Sequence, residues 1–160
     1  MFVVDTNVLI YGVDRDAPDH AQCRALLESF RVLTTPWYVT WGIVYEFLRV
    51  VTHPRVLSRP FTPEQAWLFI NALFASPRLG ILVETDRHRH VAMEVFAEVP
   101  GITGNLVFDA HTAILMRENG IRTIYTRDTD FNRFPFLDTV DPVTENRRTS
   151  KSSVRGKPRR

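Results

Sequence analysis

A short apolar run that ends on an acid constrains this chain more than any other stretch: Phe2-Val3-Val4, then Asp5-Thr6-Asn7, then Val8-Leu9-Ile10. Three consecutive apolar residues suit a strand covered on both faces of a parallel sheet, because a half-solvated strand would alternate. Asp5 stands where such a strand hands over to a helix, at the carboxyl edge of the sheet. Ligands of open α/β folds collect at that edge. Asp5, Thr6 and Asn7 offer three oxygen-bearing side chains in succession, which suits a hard cation such as Mg²⁺. The same residue types are favoured helix N-caps, so the triplet alone fits either use.

Downstream the chain alternates between strand and helix signals. A helix is expected over about 18–29, with Ala21, Ala25, Leu26 and Leu27 inward. Val32 to Thr35 reads as a short second strand closed by Pro36, and a helix from about Tyr38 to Thr52 stops before His53-Pro54. Thr62-Pro63-Glu64-Gln65 carries a cap, a first-turn proline and a capping-box glutamine, opening a helix to about Ala75. Ile81 to Glu84 forms a strand, and Asp86 is placed to cap a helix through about Val99. A glycine-bearing loop, 100–105, precedes a helix over Leu106 to Asn119 that Gly120 stops. Arg122 to Thr126 is the next strand, followed by a polar turn and an edge strand around Val140. Strands that alternate with helices argue an α/β sandwich with a mostly parallel central sheet.

At 160 residues the chain suits a single domain. No apolar run approaches the ~20 residues of a membrane span, so no membrane partner is expected. Asp5 interrupts any signal-peptide pattern, and the lone Cys23 excludes an internal disulfide; both make the cytoplasm the expected compartment. The formal charge of +2 hides an asymmetry. Seven of the 20 basic residues and none of the 18 acids lie after residue 146, so residues 1–146 hold 13 bases against 18 acids, a balance of −5. The division expected is a domain over residues 1–141 and a basic, flexible tail over 142–160. Such a tail can grip phosphates or remain a solvated end.

The acids of the body recur at chosen places. Glu46 lies in a helix that is otherwise mostly apolar, where it either pairs with Arg49 or lines a polar cleft. Asp109 falls one turn into the helix after Gly104, and Asp128 and Asp130 follow the strand that ends at Thr126. Gathered together, these carboxylates would repel one another and hold each other's protons unless a cation intervened. An all-oxygen ligand set points to Mg²⁺ or Mn²⁺ rather than zinc.

Val4-Asp5-Thr6-Asn7-Val8-Leu9, Glu46 in the helix after the second strand, Phe108-Asp109-Ala110 and Thr126-Arg127-Asp128-Thr129-Asp130-Phe131 stand in an order and spacing that resembles PIN-domain ribonucleases. More specifically, it resembles the VapC-type toxins of toxin–antitoxin pairs. The resemblance covers residues 2 to about 137 and implies a three-layer α/β/α sandwich. It implies Asp5, Glu46, Asp109 and Asp128 as the catalytic acids, with Asp5 and Asp109 as direct metal ligands. Thr6 and Asn7 would orient Asp5, and Thr126 would support the strand edge. Asp130 would hold a second metal or cap the turn before Phe131, and the cap is the expected use. The implied activity is Mg²⁺-dependent endoribonuclease cleavage of RNA by metal-activated water, with Mn²⁺ an alternative ion. The implied partners are the RNA substrate, a cognate antitoxin protein and a second copy in a homodimer.

Other features are weaker. Trp37, Tyr38, Trp41 and Tyr45 cluster around the Glu46 helix; aromatics stack on unpaired bases, but more often fill cores and protein interfaces. His111, two residues from Asp109, does not share its helical face. A contrasting reading is a non-catalytic RNA- or protein-binding module on the same fold. A phosphatase with an aspartate nucleophile would need a second Asp where this chain has Asn7.

Overall fold

A computed structural model describes residues 1–144; most of the expected basic tail lies outside the described residues. Its elements in order are β1 (Phe2–Val4), α1 (Thr6–Val13), α2 (His20–Phe30), β2 (Trp37–Thr40), α3 (Trp41–Val51), α4 (Pro63–Phe74), β3 (Leu79–Leu82), α5 (His88–Glu98), α6 (Leu106–Glu118), β4 (Thr123–Tyr125), a 3-10 helix (Thr129–Arg133) and β5 (Asp138–Val140). The strands form one sheet in the order β3-β2-β1-β4-β5, with every pair parallel. Steps from β1 to β2 to β3 run one way across the sheet, and the step to β4 runs back past β1. Right-handed crossovers therefore put α1 to α4 on one face and α5 and α6 on the other. The result is the expected α/β/α sandwich.

β1 is central, and Val3 and Val4 are fully buried, as its unbroken apolar run demands. At the start of the strands, Phe2 packs its ring 4.8 Å from Phe30 and 4.9 Å from Tyr125, while Phe30 lies 5.3 Å from Trp37. The chain direction across the sheet reverses between β1 and β4, so their exits flank the switch point where open α/β sheets leave a crevice.

Several local expectations hold. Thr62 and Gln65 close a reciprocal capping box on α4, and Gly120 takes φ +66° just past α6. Others are corrected. The second strand is not Val32 to Thr35 but Trp37–Thr40, and α3 begins at Trp41, three residues later than expected. Trp37 to Thr40 is aromatic and β-branched and pairs with β1 and β3 on its two sides, while the Thr40 hydroxyl accepts the Ile43 N–H over 3.1 Å and caps the helix at once. No spacer separates strand from helix. Leu27 is buried as expected, but Ala21 and Ala25 are exposed, and Cys23 and Phe30 complete the buried face of α2. Asp86 does not cap α5, which starts at His88 behind a turn in which the Thr85 hydroxyl accepts the Arg87 N–H over 3.2 Å. Among the described residues, no helix is long and apolar enough to cross a membrane.

Candidate metal centre

Asp5 leaves β1 and caps α1, which is one of the two uses open to it from sequence. Its Oδ1 accepts the Thr6 backbone N–H over 2.7 Å, and its Oδ2 accepts from the Asn7 amide (2.6 Å) and the Thr126 hydroxyl (2.7 Å). Only 6% of the residue is exposed. Burial pushes its carboxyl up to about 7, against the pull of the Thr126 and Thr6 hydrogen bonds, and the charges of Asp109 and Glu46 add to the rise.

Two side chains and one backbone amide brace this acid. The Asn7 amide also donates to the Thr126 hydroxyl (3.1 Å), and its Oδ1 accepts the Arg127 N–H (3.2 Å). The Thr126 hydroxyl spends its one proton on Asp5 and accepts from Asn7 and from the Asp128 N–H (2.9 Å). The Thr6 hydroxyl donates to Oε2 of Glu46 over 2.9 Å, while Oε1 of Glu46 meets Arg49 at 3.3 Å. Glu46 thus both pairs with Arg49 and lines the site.

Asp109 reaches the same place from the first turn of α6, on the opposite face of the sheet. Burial raises its carboxyl to about 6, and the charges of Asp128, Glu46 and Asp130 raise it further. Asp109, Asp128 and Asp130 each present a carboxylate oxygen, all within 4.8 Å of one another. The cap expected of Asp130 belongs to Asp128, whose Oδ1 accepts the Asp130 N–H over 2.9 Å at the head of the 3-10 helix. That turn leaves the Asp130 carboxylate with the other two. Asp5 is not in this triple; both of its oxygens already face protein donors.

The donor set is chemically suited to a hard divalent cation: oxygens only, several formal charges, and two carboxyls that burial, with neighbouring acids adding to it, pushes up to about 7 and about 6. Arg127 lies in the Thr126–Phe131 motif, but its pairing carries no signal in the sequence. Its side chain pairs with Asp19 and lies 3.5 Å from Asp141, pinning the loop whose amide Asn7 holds. Those partners are distant in the chain, so no local pattern announces them. Of the aromatic cluster, Trp37 is fully buried, whereas Trp41 and Tyr45 are exposed. His111 engages Glu84 through Nε2 at 3.1 Å. A cavity of about 520 Å³, lined in part by Gly12, His20, Leu57 and Arg59, lies at the far end of α1 from Asp5.

Comparison with known proteins finds similar chains. A family model described as the PIN domain matches residues 2–137. Ribonuclease VapC48 of Mycobacterium tuberculosis is 36% identical over 140 residues, covering 88% of this chain and 96% of the relative. Ribonuclease VapC43 of the same species is 35% identical over 143 residues, covering 89% and 96%. Among solved structures, VapBC2 from Rickettsia felis bound to a DNA fragment from its promoter aligns with a TM-score of 0.63 at 18% identity, covering 87% of this chain and 96% of that one. At that identity the likeness speaks for the fold.

Proposed function

This chain belongs to the PIN-domain family, and on that footing we propose that it is a divalent-metal-dependent endoribonuclease, the toxin of a toxin–antitoxin pair. The observation that carries the reading is the convergence of five carboxylates from both faces of the sheet on the β1/β4 exits. Relatives named ribonucleases support the reaction class.

Asp109, Asp128 and Asp130 would hold a Mg²⁺ or Mn²⁺ ion, with Asp5 and Glu46 completing the negative wall. When bound, such a cation supplies Lewis acidity for water activation and offsets charge on the departing 3′ oxygen of RNA. The chain's own residues prepare that site. Thr6, Asn7 and Thr126 fix both oxygens of Asp5, so the acid cannot swing out of the crevice. Arg49 and Thr6 hold Glu46 between them and set its reach. The 3-10 turn orients Asp128 and Asp130 together. The nuclease unit spans residues 1–141, with the basic stretch after it available to the RNA backbone. The proposal includes a cytoplasmic setting, a homodimer and a cognate antitoxin that silences the site.

Mapping the ends of RNA cut by the purified protein tests the reading. Cleavage should require Mg²⁺ or Mn²⁺, leave 5′-phosphate and 3′-hydroxyl ends, and vanish in Asp5→Ala and Asp109→Ala. Equal cleavage in chelator, or none in either ion, contradicts it.

A further inference from the structure

The cavity of about 520 Å³ at the far end of α1 falls in the size range of small-molecule sites, about 300–1,000 Å³, and none of its lining residues belongs to the carboxylate centre. Separate stretches of chain build it: the end of α1 and the loop after it, the opening turns of α2, the segment before α4, and α4 itself. Its walls are fixed from behind. The Ser58 hydroxyl donates to Oδ2 of Asp16, and Arg59 lies 3.6 Å from Oδ1, which clasps the loop after α1 to the segment before α4. The Phe61 N–H donates to the Val51 carbonyl over 2.8 Å, and the Phe69 ring stacks 5.0 Å from buried Phe47.

The lining is of two kinds. In a body that holds more acids than bases, Arg15, Arg24 and Arg59 gather here against Asp14 and Asp16. Both acids are engaged within their own loop, since Oδ1 of Asp14 accepts the Asp16 N–H over 3.1 Å and Asp16 meets Ser58 and Arg59. Arg24 pairs with Glu28 at 2.7 Å, whereas Arg15, between the two aspartates, has no ion pair among the described residues. Leu57, Phe61 and Phe69 supply an apolar, partly aromatic wall beside these cations.

We propose that this cavity takes a nucleoside phosphate, with the phosphate on Arg15 and Arg59 and the base against Phe61 and Phe69. A bare anion would make no use of the aromatic wall, and an apolar ligand would leave the guanidinium groups without a partner. A nucleotide carries a charged group and a flat ring on one short frame. Guanidinium forks match phosphate oxygens, and an aromatic face accepts any base. The nucleotide arrives free or as a unit of RNA. The second case rests on the ribonuclease reading above: the strand would then run from Asp5 along α1, whose 8 residues span about 12 Å.

Calorimetry on the full chain in chelator, where the unloaded carboxylates repel phosphate, tests the site with adenosine 5′-monophosphate, adenosine and inorganic phosphate as probes. The monophosphate should bind about tenfold or more tighter than either of the others. Arg15→Ser, which breaks no ion pair of the fold, should bring it down to the level of adenosine, and Arg15→Lys should keep part of the gain. Phe61→Leu should bring it towards inorganic phosphate at an unchanged melting temperature. A monophosphate that binds no tighter than adenosine, or whose affinity survives Arg15→Ser, overturns the proposal. So does a loss in these variants confined to affinity for a protein partner. Cleavage of an RNA strand in Mg²⁺ then tells the two sources apart. A KM raised about tenfold by Arg15→Ser at unchanged kcat marks a unit of RNA, and an unchanged KM beside lost monophosphate binding marks the free nucleotide. A protein that binds the monophosphate but cuts no RNA in either metal keeps this ligand and refutes the ribonuclease reading.

Discussion

The Thr126 hydroxyl donates to Oδ2 of Asp5 over 2.7 Å, tying the exits of two neighbouring parallel strands across 121 residues of sequence. The same oxygen accepts from Asn7 and from the Asp128 amide, so one hydroxyl sets both a buried acid and the turn that carries two more. Outer partners of this kind orient ligands and tune their basicity.

Thr126→Val keeps the shape of the side chain and removes the hydroxyl. The variant should fold, bind Mn²⁺ about 10- to 100-fold more weakly and cleave RNA correspondingly less. Thr126→Ser should restore most of both. Calorimetry on the three proteins reads the difference; wild-type metal affinity in Thr126→Val would separate the hydroxyl from the site.

Asp130 has a testable place beside Asp109 and Asp128. Asp130→Asn should weaken Mn²⁺ binding without lowering the metal-free melting temperature, because the cap of the 3-10 helix is Asp128 and one repelling charge is removed. A drop in melting temperature with intact metal affinity would return Asp130 to a structural role.

The raised carboxyls set a pH dependence of stability. Asp5 at about 7 and Asp109 at about 6 both lie above their ordinary value of 3.8, so the native state holds protons that the unfolded chain releases. Stability of the metal-free protein should therefore fall as pH rises between about 4 and 7, with the loss complete above that window and absent below it. Melting curves from about pH 5 to pH 8 check the sign, and Asp109→Asn should flatten the slope. Mg²⁺ should restore stability most at the alkaline end, where both groups are charged.

Phe131 is 1% exposed and anchors the 3-10 turn between Asp130 and the core, with the Phe134 ring 6.3 Å away. Phe131→Ala should cost about 3–5 kcal/mol in denaturant unfolding, the usual price of an aromatic cavity. It should also weaken metal binding by loosening the turn. A loss below about 1 kcal/mol would mean that the turn is held elsewhere.

What could be read ahead of the structure was local. Phe2-Val3-Val4 followed by an acid is a buried strand meeting the edge of a sheet, and Thr62 with Gln65 writes a helix start in four residues. Val32 to Thr35 is rich in β-branched residues and closed by proline, whereas Trp37 to Thr40 runs into α3 with no turn residues between. Pairing on both sides is what makes it the strand. Asp128 and Asp130 are two apart in one polar turn, and only the backbone there tells the cap from the free carboxylate. The pinning of Arg127 by Asp19 spans 108 residues and lies beyond any window. Tyr45 sits in an aromatic cluster that reads more readily as core or protein interface than as a base-stacking surface, and only the faces of α3 show it exposed.

The account stands on carboxylates from both sides of one sheet forming a single hollow that a divalent ion relaxes. Calorimetric titration of Mn²⁺ into the wild type and Asp109→Asn at mildly alkaline pH addresses it most directly. The wild type should bind, and Asp109→Asn should lose about tenfold or more in affinity while staying folded. Indistinguishable titrations, or no binding by the wild type, would contradict it.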